Sequence, residues 1–179
     1  FMRVHADGVI WNYKLQFGDW VALDAAEGSY FGATPNDLSC TAYYFYSTAT
    51  FAKIAGLLGR EQDAREYAAL AARIKRGFVE RFFDAQGNLT AQTQTAHILS
   101  LHFGLAEGEL REKTVKGLLR LLDKENGHLV TGFMGTPYFT HALSDNGQVE
   151  AAYSLLLKED FPSWLYQVRM GATTVWEHW

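Results

Sequence analysis

The chain alternates between two kinds of helical segment, and that alternation limits the fold more than any other feature. Residues 35–58, PNDLSCTAYYFYSTATFAKIAGLL, place Leu38, Tyr43, Phe45, Tyr46, Phe51, Ile54, Leu57 and Leu58 around most of a helix circumference. A helix of that kind is enclosed on several sides, and Gly59 can supply its left-handed stop. Residues 61–83, EQDAREYAALAARIKRGFVERFF, instead put Tyr67, Ala71, Ile74, Phe78 and Phe82 on one stripe at steps of three and four. Arg65, Glu66, Arg73, Lys75, Arg76 and Glu80 fill much of the rest, so this helix has a wet side.

The pairing repeats. TAQTQTAHILSLHFGL (90–105) is mostly apolar, and EGELREKTVKGLLRLLDKENG (107–127) is charged around a Leu110, Val115, Leu118, Leu119, Leu122 stripe. Gly104 and Gly127 stand where helix ends are expected. A third pair begins at Pro137, a favoured first helical position, and continues in DNGQVEAAYSLLLKED until Pro162. SWLYQV adds a turn or two. The pattern predicts an all-α domain of stacked α-hairpins with inner and outer layers, either an open solenoid or a closed toroid.

Net charge of −4 and 20% charged residues give no surface for a polyanion, which argues against a nucleic-acid partner. No apolar run approaches the roughly 20 residues that span a bilayer, and FMRVHADGVIWNY lacks the layout of a signal peptide. Cys40 is the single cysteine, inside the first apolar helix, where packing is its expected role. Phosphate-cradling motifs are missing, and His97 and His102 lack the i, i+4 spacing of a helical zinc pair, so neither metal nor cofactor is expected.

Carboxylates remain. Most fall on the wet faces of the outer helices. Asp37 in TPND and Asp145 in LSDNG read as helix caps. Asp19 in FGDW and Glu177 in VWEHW are followed or flanked by Trp, within long Gly- and aromatic-rich connections of the kind that often carry function. A carboxylate beside an indole suits a sugar site, with an acid or base for the glycosidic oxygen or water and a flat face for the ring. The same residues also fit a plainer arrangement, in which the five Trp seal helix ends and Asp19 and Glu177 bond to indole or backbone N–H.

Four blocks in order, FGDWVALDAAEGSYFGATPNDL, TAQTQTAHILSLHFGL, HLVTGFMGTPYFTHALSDNG and DFPSWLYQVRMGATTVWEHW, closely resemble the C-terminal half of the catalytic domain of bacterial α-L-rhamnosidases. The resemblance covers nearly all of residues 1–179 and implies about half of an (α/α)6 toroid, with the active site at one end. It implies an inverting hydrolysis of rhamnose-containing glycosides in which Glu177 is the general base. Trp20 would line the rhamnose pocket near the 6-methyl group, with Phe133, Trp176 and Trp179 as further contacts. Asp19 would bind a sugar hydroxyl or act as a structural cap. The resemblance leaves the compartment open between bacterial cytoplasm and periplasm.

The family's general acid lies in an upstream segment of the type D-x-x-x-R-x-E-x-x-x-W-x-x-D, and nothing in residues 1–179 matches it. An inverting glycosidase needs two carboxylates roughly 6.5–9.5 Å apart. The chain therefore reads as a fragment that holds the base without the acid, beginning inside a barrel helix and inactive alone. The open side of a half-toroid predicts self-association. Two other readings compete: another (α/α)6 glycosidase such as an unsaturated glucuronyl hydrolase, which needs cations near the aromatics, and a non-catalytic helical repeat module that binds peptides along exposed inner helices.

Overall fold

A computed structural model describes residues 2–179. Three antiparallel α-hairpins stand side by side: α2 (Asn36–Leu57) with α3 (Glu61–Phe82), α4 (Gln94–His102) with α5 (Gly108–Lys124), and α6 (Phe139–Ser144) with α7 (Val149–Leu156). The first member of each pair touches its neighbour, α2 to α4 and α4 to α6, and so forms an inner row. A short α1 (Met2–His5) precedes them and α8 (Trp164–Arg169) follows.

The layering follows from the residue pattern. Residues 94–101 of α4 are all buried, as a helix enclosed by α2, α5 and α6 must be. In α3 the buried positions are Ala71, Ile74, Phe78 and Phe82, four members of the predicted stripe. One core unites Leu38, Phe78, Phe82, Leu99 and Leu105 across the first two hairpins. A second unites Ile98, Leu118, Leu129, Phe139, Leu143 and Leu155 across the second and third. Gly59, at φ +70°, ends α2 as expected, because the left-handed conformation costs it no Cβ clash. The distal part of α2 leaves Phe51, Ile54, Leu57 and Leu58 exposed.

Several boundaries differ from the sequence expectations. Asp37 is not the cap of α2: Pro35 occupies that position without a side-chain cap bond, and Asp37 sits in the first turn, bound by Arg81 Nη2 at 2.9 Å. A carboxylate there still faces the positive end of the helix dipole. Asp145 ends α6 rather than starting α7, whose cap position is Gln148. The inner helix expected over 90–105 is shorter. Phe83 and Leu89 pair as an isolated antiparallel bridge, Thr90 N–H donates to Phe82 O at 2.9 Å, and the helix begins only after Thr93, whose Oγ1 accepts from Ala96 N–H at 3.3 Å. The Pro137 segment opens as a 3-10 turn, Thr136–Tyr138, before α6.

After α1, residues 6–35 are irregular. Trp11 nevertheless packs with Cys40, Tyr44 and Ile74, and its N–H donates to Thr41 Oγ1 at 2.9 Å. Phe1 lies outside the described residues. Cys40 is buried, and that burial pushes its thiol pKa up, in keeping with a packing role.

His97 shows how tightly the second hairpin closes. Its Nδ1–H donates to Thr93 O at 2.8 Å, and its ring occupies the space where a Cβ on Gly117 would sit, 2.4 Å from Nε2. Burial pushes its pKa from 6.5 down to about 4, with the nearby Arg120 charge acting in the same direction and the Thr93 bond opposing. The folded state therefore holds neutral His97 at a pH where the unfolded chain is protonated. Stability present above pH 6.5 is lost as pH falls toward 4, by about 3 kcal/mol. Denaturation midpoints measured from pH 7.5 to 4 should fall for the parent chain, and His97→Gln should flatten that decline; parallel curves would contradict it.

Candidate active site

The three long aromatic loops meet at one end of the inner row, although up to 160 residues separate them in sequence. What joins the first to the second is Asp19. Its carboxylate is 1% exposed and accepts from Gly132 N–H at 2.9 Å, Met134 N–H at 2.8 Å, Gly135 N–H at 3.2 Å and Thr95 Oγ1 at 2.5 Å. Backbone bonds reinforce the joint: Leu23 N–H to Val130 O at 2.9 Å and Phe133 N–H to Trp20 O at 3.1 Å. Gly132 is required at this crossing, since a Cβ there would lie 2.1 Å from Trp20 O. A buried charge is tolerated only when its lone pairs are occupied, and four protein donors occupy these. Asp19 therefore offers no free face to a sugar hydroxyl. It clamps two loops together, with Thr95 of α4 as the anchor to the inner row.

The third loop joins through the C-terminal residues. Trp179 packs against Trp164 with ring centroids 5.7 Å apart in an edge-on arrangement, and its Nε1–H donates to Thr131 O at 3.4 Å. Between the second and third loops lies a cavity of about 270 Å³. Phe133, Trp164, Trp176 and Trp179 supply its aromatic walls, Val21, Gly132, Thr136, Pro137 and Val175 complete it, and Glu177 is the only ionisable side chain among the lining residues.

Four of the six residues singled out from the sequence, Phe133, Trp176, Glu177 and Trp179, thus share one cavity. Trp20 does not line it. Its ring sits in an adjoining cluster with Phe17, Tyr30 and Phe31, at centroid distances of 5.2–5.3 Å, and Tyr30 meets His178 edge-on at 6.5 Å. Asp19 is behind the cavity wall.

Glu177 is exposed, with Trp176 beside it 40% exposed. The desolvation cost that a carboxylate flanked by two indoles suggests does not arise, because the Glu177 side chain stays exposed to water. Asp24, a second acid of the first loop, is used locally: its Oδ1 accepts from Ala33 N–H at 3.0 Å, and burial raises its pKa against that bond. Val21 adopts φ +55°, a strained setting for a β-branched residue, while its N–H donates to Tyr30 O at 2.8 Å. Val21, Thr136, Trp164 and Val175 were not singled out as site residues; only Trp164 carried a signal, as an indole directly after Pro162 and Ser163.

Residues 2–179 match the family described as the bacterial alpha-L-rhamnosidase 6 hairpin glycosidase domain. The chain belongs to this family. An α-L-rhamnosidase of Streptomyces avermitilis is 34% identical over 179 residues, which is all of this chain and 16% of that protein. One from Formosa agariphila is 35% identical over 164 residues, 91% of this chain and 18% of that protein. The crystal structure of the Streptomyces avermitilis α-L-rhamnosidase complexed with L-rhamnose superimposes with a TM-score of 0.89 at 34% identity, over 99% of this chain and 16% of that one. A native α-L-rhamnosidase from Aspergillus terreus gives 0.87 at 33% identity, over 93% and 20%.

The chain thus spans about a sixth to a fifth of the length of these relatives. Its three hairpins are about half of the six-hairpin toroid of that family.

Proposed function

We propose that this chain supplies one wall of an α-L-rhamnosidase active site and its general base, Glu177, in an enzyme that removes terminal α-L-rhamnose with inversion. The observation that carries the reading is the cavity itself, in which one solvent-open carboxylate stands among four aromatic rings. Glu177 holds a water on one side of the anomeric carbon and takes its proton as the C–O bond to the aglycone breaks. The proton for the leaving oxygen comes from a second carboxylic acid on the opposite face, 6.5–9.5 Å away in enzymes of this class. That acid belongs to the upstream acidic, Trp-containing segment, which is not among residues 1–179.

Two features favour rhamnose over a uronic acid. Rhamnose is neutral and ends in a methyl group, which suits walls of indole, phenyl and valine side chains. A uronate needs a cation, and the lining holds no Lys or Arg. Arg169, the one Lys or Arg within these loops, pairs with Glu159 at 2.8 Å, with both side chains more than 60% exposed. A peptide-binding repeat module would need an open groove along the inner helices, and α4 is closed along residues 94–101.

The purified 179-residue chain is expected to release no aryl alcohol from an aryl α-L-rhamnoside, because the base alone leaves the aglycone oxygen unprotonated. Steady release would contradict the division of roles. Activity is expected only when the same chain is joined to a segment that carries the acid.

A further inference from the structure

Residues 172–177 carry the base but form no helix or strand, so something outside the segment must fix their course. We infer that Gln167, on α8, is the positioning residue that sets Glu177; the inference rests on Glu177 being the base. Gln167 is 3% exposed and holds the segment at both ends. Its main-chain O accepts from Ala172 N–H at 2.9 Å, and its side-chain Oε1 accepts from Trp176 N–H at 3.2 Å, one residue before Glu177. The five-residue span between the two bonds is thereby closed on a single residue.

That residue is itself held. Its N–H donates to Ser163 O at 3.4 Å, and Ser163, 1% exposed, caps α8 by accepting from Tyr166 N–H at 3.1 Å. Beyond Ser163, Pro162 O accepts from His128 Nδ1–H at 3.0 Å, and Gln94 of α4 donates through Nε2 to His128 O at 3.0 Å. A continuous set of hydrogen bonds and peptide links therefore runs from the inner row to the base.

The carboxamide is oriented by Trp176 alone. Its Nε2 is buried and finds no acceptor among the described residues. Turning the group over would set N–H against the Trp176 N–H, so the amide must present its oxygen. A buried donor without an acceptor is destabilising. Met or Leu would pack here without the unmatched donor; what the glutamine adds is the acceptor for Trp176 N–H.

This separates the proposal from a merely structural role. In a full-length rhamnosidase carrying this segment, Gln167→Met fills the same volume, removes the unmatched donor and leaves Trp176 N–H to water. The melting temperature is expected to stay at or above the parent's while kcat falls about 10–100-fold, as small misplacements of a reacting group do, with KM nearly unchanged. Amide exchange across 172–177 should quicken in the same variant. Unchanged exchange there, or full kcat in Gln167→Met while Glu177→Gln is inactive, would overturn the proposal. If Glu177→Gln keeps full activity, the base assignment fails instead. Should Gln167→Met not fold, the parent chain still decides the matter: its Trp176 amide is expected to exchange more slowly than those of Thr173, Thr174 and Val175, and equal rates would overturn the anchor.

Discussion

Glu177→Gln, made in a full-length rhamnosidase that carries this segment, is expected to lower kcat by about 10²–10⁴-fold, the usual contribution of a positioned general base. The substitution keeps the side chain's size and its ability to touch water, but it removes the proton acceptor. Because Glu177 is exposed at the cavity rim and no hydrogen bond with another described residue holds its carboxylate, the fold should not notice. Melting temperature and KM are therefore expected to stay near the parent's. A variant that lost activity only by unfolding would not support the base role, and one that kept its kcat would remove it.

Asp19→Ala is expected to have the largest effect on stability. It withdraws the acceptor from three backbone N–H groups and one hydroxyl at a site closed to water, where each unmatched donor costs about 1–3 kcal/mol. Partial relaxation of the loops brings the total to about 3–5 kcal/mol, a fall in melting temperature of roughly 10 °C for a domain of this size. Asp19→Asn should fall in between, because one oxygen still accepts while the new amide group opposes a donor. Both variants should also loosen the loop at 131–135, which places Phe133 against the cavity and Thr131 O against the Trp179 indole. Thermal unfolding of the three proteins checks the order; an alanine variant as stable as the parent would mean that the clamp does not hold the loops.

The hairpins were legible in the sequence because their signal is local. The stripe through Ala71, Ile74, Phe78 and Phe82 repeats at the helical period, and Gly59, Gly104 and Gly127 stop helices within a few residues of the pattern they end. That Glu177, Trp176, Trp179 and Phe133 belong together was suggested by the blocks that resemble the rhamnosidase family, since composition alone left them equally suited to sealing helix ends, and the structure places all four around one cavity. What was not legible depends on partners far away in the chain. Asp19 looks like a sugar contact beside Trp20, and only the loop 113–116 residues later shows that its oxygens are already taken. The short start of α4 depends on the bridge between Phe83 and Leu89, which no helical period reveals. Gln167 carries no signal at all in SWLYQV, where it reads as one polar residue on a short helix.

The stereochemistry of the first product tests the central claim most directly. Proton NMR of an α-L-rhamnoside hydrolysed by a full-length enzyme carrying Glu177 resolves the two anomers of free rhamnose before they interconvert. Water delivered by a base to the face opposite the leaving group gives β-L-rhamnose first. If α-L-rhamnose appears first, Glu177 does not act as the base of an inverting reaction.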